Sequence, residues 1–255
     1  MPSDLIGSWI ALGLALGSFA SVLAARIPER LGIHGKSRCR NCKKEISFYD
    51  NIPLISYTFL RGRCRNCKVH ISILYPALEL FTVLFTVIIV RHFNSWLMCT
   101  AWVIFLTVGL ALSVIDQKSK RLPDVLTLPL YLMLAVVLGL DSLFNHHGAR
   151  FLTGLASSVL LAFFYLVLNT ISRGGMGLGD AKFALSIGLL TGYIGLYCVL
   201  TSTFIAFFLG ALVGLIAIGM NKADRKSTLA FGPFIYFGAL IGPLFSQYLE
   251  KLLNF

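Results

Sequence analysis

The chain has 255 residues, of which 57% are hydrophobic and only 13% charged, and its mean hydropathy is +0.81. Soluble domains carry about 25% charged residues, so this composition excludes an ordinary water-soluble globule. Lys and Arg number 22 against 11 Asp and Glu, a net charge of +11 that in a soluble protein would suggest nucleic acid. Half of the basic residues, 11 of 22, fall between Arg26 and Lys68, opposed only by Glu29, Glu45 and Asp50. The surplus is local, and nucleic acid is not needed to explain it.

A membrane-spanning helix needs roughly 20 mainly apolar residues. In chain order, candidate segments are residues 5–25, 74–90, 96–115, 125–143, 151–171, 181–194, 195–220 and 231–249. The expected fold is therefore an all-α polytopic membrane protein of about eight spans. Seven is the alternative count if the break at Gly192–Gly195, the weakest boundary, is absent. The expected division is a first helix (1–25), a loop (26–73) and a helical bundle (74–255). Residues 5–25 follow Asp4 rather than a basic stretch and precede Arg26, the pattern of a retained helix and not of a cleaved signal peptide.

Basic loops remain in the cytoplasm. With the N-terminus outside, the inner loops collect 19 Lys and Arg, including Lys118, Lys120, Arg121, Arg173, Lys182, Lys222, Arg225 and Lys226. Only Arg91, Arg150 and Lys251 are left for the outer side. Small residues four apart (Gly13/Gly17, Gly188/Gly192, Gly210/Gly214 and Gly238/Gly242) suit close helix packing, although scattered glycines in apolar helices explain any single pair equally well.

The loop after the first span holds Cys39-Arg40-Asn41-Cys42 and Cys64-Arg65-Asn66-Cys67. Each opens a nine-residue unit, CRNCKKEIS and CRNCKVHIS, identical at seven positions. Two C-x-x-C knuckles 21 residues apart have the spacing of a four-thiolate zinc site, with Cys39, Cys42, Cys64 and Cys67 as ligands. Four thiolates on Zn²⁺ carry a charge of about −2. Arg38, Arg40, Lys43, Arg63, Arg65 and Lys68 are placed to offset it. Four Cys ligands leave no position for water, so the ion would be structural. Two disulfides are the alternative, and they require an oxidising compartment. Cys99 and Cys198 sit inside apolar spans as small hydrophobes.

Acids at or near the spans are few: Glu79, Asp116, Asp124 and Asp180. Asp124 follows a proline and precedes an apolar run, as a helix N-cap does. Asp180 could also cap, but Gly177 and Gly179 before it allow another backbone to approach, as an extended peptide substrate requires. Asp116 could be an interfacial charge, or Asp116 and Asp180 could form a working pair. Two close carboxyl groups share a proton, so one takes a proton from water while the other polarises a peptide carbonyl. The sequence has no H-E-x-x-H, G-x-S-x-G or Walker A motif.

Together these features resemble the type IV prepilin peptidases, a family of G-x-G-D membrane aspartyl proteases. The resemblance runs through Gly17-Ser18-Phe19, Arg26-Ile27-Pro28, both knuckles and Asp50-Asn51-Ile52-Pro53-Leu54. It continues through Ile71-Ser72, Tyr75-Pro76, Glu79, Asp116, Leu122-Pro123-Asp124 and Gly177-Leu178-Gly179-Asp180-Ala181-Lys182. It implies that Asp116 and Asp180 are catalytic and Asp124 is not, with Gly177, Gly179 and Lys182 supporting the substrate loop. It further implies cytoplasmic-face cleavage of the basic leader from prepilins and pseudopilins at the bacterial inner membrane. Members with the cysteine loop usually also methylate the new N-terminal amine with S-adenosylmethionine, and Glu79 is the candidate residue for that step. The family commonly has Asn where this chain has Ser21, which bears on methyl transfer rather than cleavage. The rival readings are a small transporter relaying protons through its acids and a non-enzymatic assembly scaffold.

Overall fold

The computed structural model describes residues 6–30, 32, 35, 37–39, 41–172, 176–220 and 229–253. Lys36, Arg40, Arg173, Lys222, Arg225 and Lys226, which entered the charge count, lie outside the described residues. The described residues form α1 (Ile6–Arg26), a 3-10 turn (Phe48–Asn51), α2 (Ile55–Phe59), α3 (Leu74–His92), α4 (Trp96–Ser119), α5 (Asp124–Phe144), α6 (Gly148–Ile171), α7 (Leu178–Ile194), α8 (Leu196–Gly219) and α9 (Gly232–Leu253), with no strand among them. Helix is the expected form, because a segment in lipid must satisfy every backbone group internally.

Each of the eight apolar segments is a helix, and the break between the sixth and seventh is real, falling at Gly195. Eight spans are not confirmed. Six helices are long and apolar enough to cross a membrane: α1, α3, α4, α5, α6 and α8. α7 has 17 residues, about 25 Å at 1.5 Å per residue, at the short end of the spanning range. α9 has 22 residues, about 33 Å at the same rise, with Pro243 inside it. The chain is an all-α, multi-pass membrane protein.

Two compact units divide at Asn94 and Ser95. In the first, α1 packs on α3 through Gly13 and Gly17. A Cβ at Gly17 would meet the Glu79 Cα at 2.8 Å, and one at Gly13 would meet the Val83 Cα at 3.1 Å. The Thr82 hydroxyl donates to the Gly13 carbonyl across this seam at 2.9 Å. Lipid gives no hydrophobic push between helices, so such close approach and crossing hydrogen bonds hold them.

In the second unit α4 is the central helix. Its spanning window is 78% buried, against 28–39% for the other five spans. Gly188 and Gly192 of α7 abut Gly154, Ser157 and Ser158 of α6, and Gly238 and Gly242 of α9 abut Ser202 and Ala206 of α8. Three of the four small-residue pairs are thus helix contacts. In the fourth, Gly210 meets Phe231 but Gly214 faces open space.

Candidate functional site

The alternation of helices in the second unit brings the C-terminal end of α4 and the N-terminal ends of α7 and α9 to one end of the bundle. Asp116 lies in the last turn of α4 and Asp180 is the third residue of α7. Both are buried, each 5% exposed. They are near enough for the charge of Asp116 to act on Asp180. Each has one carboxylate oxygen bound to a glycine amide. The Gly177 N–H donates to Asp180 Oδ2 at 3.0 Å, and the Gly232 N–H donates to Asp116 Oδ2 at 2.9 Å. Gly232 opens α9, so Asp116 also faces the positive end of that helix dipole.

Gly232 was not singled out in the sequence, where it precedes an apolar run without a motif. A Cβ there would lie 2.7 Å from Asp116 Oδ2. A Cβ on Gly179 would meet the Leu122 Cβ at 2.9 Å, so the missing side chain admits the segment that leads into α5. Tyr165 of α6 is buried, within electrostatic reach of Asp180, and its ring stacks on Phe207 and tilts against Phe231. No sequence spacing signals that residue.

Asp124 is corrected. It is the first residue of α5, its N-cap is Pro123, and its side chain caps nothing. Its carboxylate instead takes both oxygens to Lys182 Nζ, at 2.7 and 2.8 Å. Lys182, two residues past Asp180, is thereby tied to α5 across 58 positions of sequence.

A further buried acid, Asp141, falls inside the candidate span 125–143 and was not singled out in the sequence. It is 1% exposed at the end of α5. The Tyr193 hydroxyl donates to its Oδ2 at 2.6 Å, and Asn145 Nδ2 donates to Oδ1 at 3.0 Å. The Ser95 hydroxyl, which caps α4 by accepting from the Met98 amide, also binds Oδ1. This knot sits at the opposite end of the bundle from Asp116 and Asp180.

In the first unit the two knuckles are copies offset by 25 residues. The Lys43 N–H donates to the Cys39 carbonyl and the Lys68 N–H to the Cys64 carbonyl, both at 3.0 Å. Cys39 N–H meets Lys44 O and Cys64 N–H meets Val69 O, both at 2.9 Å. Lys43 and Lys68 share a left-handed backbone at φ 59° and 57°. The four Sγ atoms lie within 4.8 Å of one another, Cys39 and Cys67 at 3.7 Å. A tetrahedron with Zn–S bonds of 2.3 Å has sulfurs about 3.8 Å apart, so the donor set fits a thiophilic metal. A disulfide would need about 2.05 Å, and all six cysteines are free. The Val69 amide draws the Cys67 thiol down to about 6 and the Cys42 amide lowers Cys39. Cys42, despite the Lys44 amide, is pushed up to about 11 by burial and its neighbouring sulfurs. A bound cation would displace the protons these thiols share.

Glu79 of α3 is buried, accepting from the Leu54 amide at 2.8 Å and from the Ser18 hydroxyl. Ser21 is also buried and donates to the Gly17 carbonyl of its own helix at 3.1 Å. Its hydroxyl is thus spent within α1.

Residues 11–93 match the bacterial peptidase A24 N-terminal domain, and residues 103–215 match the type IV leader peptidase family. A Pseudomonas aeruginosa protein named prepilin leader peptidase/N-methyltransferase is 30% identical, over 95% of this chain and 91% of its own length. The chain belongs to the type IV leader peptidase family. Relatives of the same name from Neisseria gonorrhoeae (32% identical, covering 87% of this chain and 84% of the relative) and Bacillus subtilis (29%, covering 92% of each) also match. No solved structure matches the chain. In this leader peptidase family member the two family models part between residues 93 and 103, around the division of the compact units.

Proposed function

We propose that this chain is a membrane aspartyl endopeptidase that removes the basic leader of type IV prepilins and pseudopilins and methylates the new N-terminal amine. The observation that carries the reading is the Asp116–Asp180 pair, brought from two helices to one end of the bundle with one oxygen of each held by a glycine amide.

In this reading the two aspartates share a proton. The ionised one takes a proton from water, whose oxygen adds to the scissile carbonyl, while the protonated one donates to the carbonyl oxygen. Collapse of the tetrahedral intermediate breaks the C–N bond. The amine leaves with a proton from the carboxyl that received one from water, and the other carboxylate takes back the proton it gave to the carbonyl oxygen. The Gly177 and Gly232 amides keep each carboxyl in register. Gly179 lets α7 start against Leu122, and Lys182 ties α7 to α5 beside the site.

The orientation that holds Lys and Arg inside places both aspartates at the cytoplasmic face of the inner membrane. Cys39, Cys42, Cys64 and Cys67 would hold a structural Zn²⁺. S-adenosylmethionine would supply the methyl group. Glu79, the buried carboxylate of the first unit among the described residues, suits a cationic donor or the substrate amine.

The test is incubation of the purified protein with a prepilin, with and without S-adenosylmethionine, and mass spectrometry of the new N-terminus. Cleavage without the donor, and cleavage plus one methyl group with it, is expected. Asp116→Asn and Asp180→Asn should each abolish cleavage. Full processing by either variant would sink the mechanism.

A further inference from the structure

The loop between α1 and α3 carries more than its cysteines. Its Leu54 amide is bound to Glu79, which lies five residues past the start of α3, about 7.5 Å along the helix. Since α3 is long and apolar enough to cross a membrane, the start of α2 is held level with the first turns of a span, not above them. At that level Ile55 is 51% exposed, and Phe59 is 84% exposed, more than any other large hydrophobic side chain among the described residues.

Immediately after Phe59 comes a cavity of about 380 Å³ lined by Leu60, Arg61, Arg63, Cys64, Lys68 and His70. No acid lines it. The side chains of Arg61, Arg63, Lys68 and His70 make no hydrogen bond or ion pair among the described residues. Arg38 and Arg65, by contrast, are paired with Glu45 and Asp50. The thiolates do not account for the free cations. A zinc-bound four-thiolate cluster carries about −2, while 11 basic and three acidic residues lie between Arg26 and Lys68.

We propose that α2 and the adjoining basic cavity dock the knuckle loop on the anionic bilayer that its flanking helices cross. Ile55 and Phe59 lie at the boundary between headgroups and acyl chains, and Arg61, Arg63, Lys68 and His70 hold headgroup phosphate. An apolar edge beside unpaired cations is how interfacial segments bind a charged membrane. The loop is then anchored in the membrane plane and not suspended above it.

The test uses the full chain in nanodiscs of phosphatidylcholine alone or mixed with phosphatidylglycerol. The emission of Phe59→Trp, less that of the unsubstituted protein, should be quenched by lipids brominated on the acyl chains and little affected by aqueous iodide. Native mass spectrometry should show phosphatidylglycerol retained by the unsubstituted protein and several-fold less by the Arg61→Glu/Arg63→Glu pair. Zinc content is measured for each variant, and Arg61→Gln/Arg63→Gln replaces any variant that loses metal. Iodide quenching without bromolipid quenching overturns the proposal. So does shielding of position 59 only when prepilin is added, which would make the surface a substrate site. Complete displacement of phosphatidylglycerol by millimolar inorganic phosphate would reassign the cavity to soluble anions. None of these readouts depends on leader cleavage.

Discussion

Asp116 and Asp180 each commit one oxygen to a glycine amide, and in the proposed mechanism the other oxygen does the chemistry. At Gly232 this holds only because no side chain is present. Gly232→Ala would press a methyl group against Asp116 Oδ2 and shift the carboxyl. Misplacement by about 1 Å costs on the order of 100-fold in rate, so a fall of that size in kcat with little change in KM is expected from prepilin cleavage kinetics. Asp124→Asn should leave cleavage largely intact in the same assay. Its exposed ion pair with Lys182 stabilises by about 0–1 kcal/mol. The G-x-G-D motif made Asp180 visible in the sequence. Gly232 lies 116 residues from the carboxylate it binds, and no local pattern marks such a partner.

Among the elements, α5 acts as a strut with an acid at each end. Asp124 holds α7 beside Asp180, and Asp141 holds the far end of α7 through Tyr193 and the start of α4 through Ser95. A buried acceptor that loses its donor costs about 1–3 kcal/mol. Tyr193→Phe should therefore lower the melting temperature of the purified protein in detergent, and Asp141→Ala should lower it further because three donors are orphaned. The knuckle loop has a separate support. Its two turns share little core and close on one set of sulfurs, so removal of the metal, or Cys39→Ser, should speed amide exchange over residues 37–71. Methyl transfer should fall more than leader cleavage. An unchanged methylation rate after chelation would count against this role for the loop. The knuckle spacing was fully legible in the sequence because the repeat is exact in its ligand positions. The Asp141 knot was not, since its members come from different helices and share no local motif.

For the whole molecule, the charge asymmetry makes a test independent of the enzyme reading. A reporter domain fused after Lys68 should remain cytoplasmic, and its export would reverse the orientation. Helix existence, approximate boundaries and the grouping of the four loop cysteines were legible in the sequence alone. Hydropathy forces helices in lipid, and a repeated C-x-x-C needs no distant context. The tertiary structure decided the rest. It showed that Asp124 pairs with Lys182 instead of capping its helix. It also showed that Asp116 and Asp180 meet the amides of Gly232 and Gly177 at one end of the bundle. These are consequences of which helix ends lie side by side, and linear order does not contain that until the bundle packs.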